Sequence, residues 1–184
     1  TSQYTQINGA GAVVTYGANR NFSSTLFLRN GTMTFGGSTY NLQTFSSNPG
    51  CNQAVVRILN LGTSTLNVSG SWNTSGDPGN LTINPGSSVI NMTSVSATFT
   101  NNVWCNTPNN THVYNIVNFT APSGTVQFLH HYNSAFDNVL GTYNQVSFSA
   151  GANITGEFTV GTLVLTSNNT YTLQAARTMT VTNN

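Results

Sequence analysis

Asp77, Asp137 and Glu157 are the only carboxylates in the 184 residues. Hydrolysis of a glycoside by paired carboxylates would have to draw on two of these three. None of them stands in a nucleophile-elbow or comparable setting. The histidines are His112, His130 and His131. Neighbours on a strand face opposite ways, so His130 and His131 cannot chelate one ion together. A Ser–His–acid triad has no recognisable context either. The expectation is a non-enzyme with no catalytic residue, no metal site and no bound cofactor.

The chemistry the sequence does offer is covalent modification. Asn-x-Ser/Thr sequons begin at Asn21, Asn30, Asn67, Asn73, Asn80, Asn91, Asn109, Asn118, Asn153 and Asn168. A chain this rich in Asn, Ser and Thr generates sequons by chance, so parity is the stronger signal. Asn67 lies between Leu66 and Val68, Asn91 between Ile90 and Met92, and Asn118 between Val117 and Phe119. If each apolar pair is buried in a strand, the Asn between them points to solvent, where a glycan belongs. Asn73, Asn80, Asn109 and Asn168 fall at expected turns. Covalent N-glycans are therefore expected.

Cys51 and Cys105 are the only cysteines. In an exported chain they suggest one disulfide closing a loop of about 55 residues, worth ~3–4 kcal/mol in the chain-entropy view. Two free thiols or an intermolecular bridge are the alternatives. Two lone cysteines make a poor metal site.

Charge narrows the class further. Four arginines and three acids give a net charge of +1, and there is no lysine. No basic footprint for nucleic acid can be built from this. No apolar run is long enough for a membrane-spanning helix. The chain opens at Thr1 without an apolar leader, so a removed leader is expected. Ten Phe, seven Tyr and many β-branched residues argue against disorder. An almost uncharged surface favours association unless glycans cover it. Three carboxylates also leave little to titrate in acid, which suits an acidic exterior.

These residues must be positioned by strands. Period-two alternation recurs, as in 65–72 with Leu66, Val68, Gly70 and Trp72 on one face, and in 171–181. Turn clusters such as Asn48-Pro49-Gly50, Asn84-Pro85-Gly86 and Ala121-Pro122-Ser123-Gly124 separate the runs. Short strands between such turns read as an all-β antiparallel β-sandwich, most Ig-like over Val55–Ile90. No fixed-period repeat is evident.

Residues 1–16 stand apart from the body at 17–184. Tyr4, Ala10, Ala12, Val14 and Tyr16 share one parity, Ile7 adds a further apolar group, and Gly9-Ala10-Gly11-Ala12 is slim. Such a segment suits strand addition to another subunit. The alternative is the first strand of its own sandwich. A carbohydrate-binding adhesin, with Trp72, Trp104 or Tyr132 stacking on sugar, is the competing function, and a viral or surface-layer-associated structural protein is a second.

The lysine-free Ser/Thr/Asn composition, the ten sequons, the single cysteine pair and the strand-like start resemble the subunits of archaeal thread filaments. These are thin extracellular pili of Sulfolobus-type acidophiles. The resemblance implies a type-I-pilin-like sandwich lacking one strand. It implies that residues 1–16 act as donor strand for a neighbouring copy. It also implies a head-to-tail, N-glycosylated homopolymer serving adhesion or biofilm outside the cell.

Overall fold

The structure is a computed structural model, and it describes residues 4–50, 54–75, 80–101, 111–130 and 141–183. Cys51, Cys105, Asp77, Asp137, His131, Trp104, Tyr132 and Asn109 lie outside the described residues.

Sixteen strands occur among the described residues. They are β1 (Thr5–Tyr16), β2 (Arg20–Phe35), β3 (Thr39–Ser46), β4 (Arg57–Asn60), β5 (Thr65–Val68) and β6 (Ser71–Asn73). Next come β7 (Leu81–Asn84), β8 (Val89–Met92), β9 (Thr98–Asn101), β10 (His112–Phe119) and β11 (Thr125–His130). The last are β12 (Gly141–Phe148), β13 (Gly151–Thr155), β14 (Phe158–Leu165), β15 (Tyr171–Leu173) and β16 (Met179–Val181). Among the described residues, no helix is long and apolar enough to cross a membrane.

All strands join one curled sheet, and every pairing in it is parallel. Its main path of twelve strands runs β15-β13-β11-β9-β6-β3-β5-β8-β10-β12-β14-β16; β2 pairs with β3 from outside this path and carries β1 and β4, and β4 carries β7. Paired residues are one circuit of chain apart, from 17 (Gly141 with Phe158) to 29 (His112 with Gly141). The chain thus winds round an axis, and each circuit lays its strands on those of the circuit before. This is a parallel β-solenoid.

The all-β expectation holds, but the Ig-like, pilin-like antiparallel sandwich does not. The Asn84-Pro85-Gly86 turn shows why. In a sandwich it would close a hairpin between β7 and β8. Here β7 pairs with β4, and β8 pairs with β5 and β10. The turn is a corner of one coil, stacked on the corner below through Ser87 N–H donating to Gly62 O at 2.9 Å. An apolar/polar alternation and a Gly-rich corner serve both architectures equally.

The donor-strand geometry falls with the sandwich. β1 pairs in parallel with β2 of its own chain, Ile7 beside Leu28 and Tyr16 beside Phe35. Ile7 and Tyr16 are buried, and Ala12 and Val14 pack against the same core. Tyr4 and Ala10 are exposed. Residues 5–16 stack on β2 within the body they belong to.

Inward residues stack in files down the axis. Phe45 lies on Trp72 at 4.2 Å, Trp72 on Phe99 at 6.2 Å, and Phe99 beside Phe128 at 5.5 Å. Tyr114 stacks on Tyr143 at 5.2 Å and Phe119 on Phe148 at 4.8 Å. These rings are almost wholly buried, and each buried large side chain contributes about 1.5–3 kcal/mol. Coil-on-coil matching of like residues is what holds the register.

Candidate functional site

The strands that bury Tyr40 and Leu42, Leu66 and Val68, Ile90 and Met92, and Val117 and Phe119 turn the intervening residue outward. Parallel register then puts Asn41, Asn67, Asn91 and Asn118 directly above one another. Asn21 pairs with Asn41 below them, and Ser147 with Asn118 above.

The amides of this file are linked. Asn41 Nδ2 donates to Asn21 Oδ1 at 2.6 Å, Asn67 to Asn41 at 2.9 Å, Asn91 to Asn67 at 2.9 Å, and Asn118 to Asn91 at 3.1 Å. Ser147 Oγ donates to Asn118 Oδ1 at 2.7 Å. An amide has two N–H donors and two acceptor lone pairs. Each interior amide therefore keeps one donor and one acceptor for solvent or ligand, repeated every ~4.8 Å along the axis. A shorter file links Asn84, Asn60 and Thr34 on another face.

A shallow groove of about 430 Å³ lies over the lower part of the long file. Asn21, Asn41 and Asn67 run along it, with Phe22, Gln43 and Ser69 beside them. Phe22 is half-buried, its ring held edge-on to Tyr16 at 5.1 Å. No charged side chain lines the groove.

The sequons thus separate by environment. Asn21, Asn67, Asn91 and Asn118 belong to the file. Asn73 Oδ1 accepts from Ser75 N–H at 2.9 Å and from Ser75 Oγ at 2.6 Å, within its own sequon. Asn30, Asn80 and Asn153 are half-buried. Asn168 is exposed on a turn with φ of 62°. Trp72, weighed as a sugar platform, is wholly buried in the core.

The described histidines lie inside. His112 Nδ1–H donates to Asn101 Oδ1 at 2.6 Å, and Thr74 Oγ1 donates to the same oxygen at 3.1 Å. Thr74 also bonds the Tyr114 hydroxyl at 3.1 Å, to which Trp72 Nε1 donates at 3.5 Å. His130 Nε2 is hydrogen-bonded to the Tyr143 hydroxyl at 2.6 Å. Burial, reinforced by nearby His112, holds His130 down to about 3. Burial lifts Tyr114 above the ordinary phenol range. Burial, then the neighbouring Tyr114, does the same for Tyr143. An enclosed hydrogen-bonded network of this kind orders the core. Buried Arg57 donates from Nη1 to Ser47 O at 2.6 Å and to Ser47 Oγ at 3.1 Å.

Asn41, Phe22 and Gln43 were not singled out by sequence reasoning, because Asn41 carries no sequon and Phe22 reads as ordinary strand. The available signal was the recurrence of an outward Asn between apolar pairs once per circuit.

These features define a class: a charge-poor parallel β-solenoid with interlocked amide files on its outer faces. No protein-family model, no curated protein and no solved structure matches the chain.

Proposed function

We propose that the chain is a structural subunit of an extracellular filament, with copies joined end to end along the coil axis and N-glycans on the outer faces. Adhesion or biofilm support is its role, and no catalytic step, metal or cofactor enters. The observation that carries this reading is the pair of strand edges at the two ends. Among the described residues, β1 pairs only with β2, β15 only with β13, and β16 only with β14. Edges are normally guarded by lysine, proline or covering segments. This chain has no lysine, and Val13 in β1 is 68% exposed and Leu173 in β15 56% exposed.

A parallel ladder is extended only by the opposite edge of another copy in the same sense. The contact is therefore heterologous and propagates without closing. A low net charge puts little repulsion in its way. The test is fibre diffraction and electron microscopy of the native material. Filaments one solenoid wide, with a ~4.8 Å reflection along the filament axis, are expected. Isolated rods at high protein concentration, or filaments without that reflection, would overturn the reading.

A further inference from the structure

We propose that the groove over Asn21, Asn41 and Asn67 binds an uncharged linear oligosaccharide lying along the coil axis. This inference does not depend on polymerisation. Its lining is free of charge, so neither an anionic nor a cationic ligand finds a complementary group there. What the lining offers is one N–H donor and one carbonyl acceptor per coil, in a row. A sugar hydroxyl is itself both donor and acceptor, and a linear glycan repeats its hydroxyls along its length.

The amides are already oriented by their bonds to one another, 2.6 Å between Asn41 and Asn21 and 2.9 Å between Asn67 and Asn41. Little side-chain freedom remains to be lost on binding. Gln43, of the same outward parity as Asn41, projects a further exposed amide. A groove of about 430 Å³ lies in the size range of small-ligand sites. Any glycan attached at Asn21 or Asn67 would compete for the same space.

The test is affinity electrophoresis of the chain produced without N-glycans. The gels contain laminarin, xylan or mannan as neutral probes and alginate as the anionic probe. At least one neutral polymer is expected to retard the protein, and alginate is not. Gln43→Ala lies at an exposed position and leaves the fold intact by circular dichroism. It should weaken retardation roughly fivefold, the value of one lost hydrogen bond. Thr100→Ala, on a different face, should not change it. Retardation by no neutral polymer, retardation equal in alginate, or Gln43→Ala migrating like the unmodified chain would each overturn the proposal.

Discussion

Replacing His130 by Gln should remove an acid sensitivity that the composition conceals. The ring is 2% exposed. It packs against Phe128 at 4.5 Å and Phe158 at 4.9 Å, and Tyr143 engages its Nε2. Folding lowers its pKa to about 3, whereas the unfolded chain protonates it near ~6.5. Between these values the unfolded state holds a proton that the folded state refuses. Stability from this group is complete above pH ~6.5 and is lost as the pH falls toward 3.

Integrating the linkage from pH 6 to pH 4 gives a loss of about 2–3 kcal/mol. Gln keeps a polar partner for Tyr143 and does not titrate. Urea unfolding of both proteins at several pH values between 4 and 7 reads the difference. The carboxylates are common to both and cancel. Between pH 6 and pH 4 the unmodified chain should lose about 2–3 kcal/mol more than His130→Gln. Parallel stability curves would refute the reasoning, since His130 would then titrate alike in both states.

Four further outcomes are expected. Gly86 has φ of 54°, and a Cβ there would stand 2.2 Å from Gly62 O; Gly86→Ala should lower stability by about 2 kcal/mol or more in urea titration. Arg57→Ala strips buried Ser47 O of a charged donor and opens a void, and should lower stability by about 3–5 kcal/mol, read as a fall in the thermal midpoint. Trp72→Ala breaks the ring stack between Phe45 and Phe99 and should cost about 3–5 kcal/mol by the same measurement. Glycopeptide mass spectrometry should find Asn168 occupied, and should never find Asn67, Asn91 and Asn118 occupied on one molecule, because a coil spacing of ~4.8 Å leaves no room for glycans on successive coils.

Much of the local structure was legible. The alternation that marked Leu66, Val68 and Trp72 as one buried face is what the structure shows. The outward placement of Asn67, Asn91 and Asn118 followed from their apolar neighbours. The repeat was not recognised, because its circuits differ in length. Asn41, Asn67, Asn91 and Asn118 are 26, 24 and 27 residues apart, and corner loops absorb the differences. The expected acid tolerance rested on counting carboxylates. Burial of His130 could not be counted, since it depends on Phe128, Tyr143 and Phe158 converging from three strands.

Sequence by itself determined the strand character, the inward and outward faces and the uncharged surface, because these depend on each residue and its immediate neighbours. Only the tertiary structure decided that strands pair in parallel with the preceding circuit, that residues 5–16 belong to their own body, and that scattered asparagines become one linked file. Partner choice is non-local: it is set by which rings and amides stack between coils, and a strand's own residues carry no record of its partner's direction.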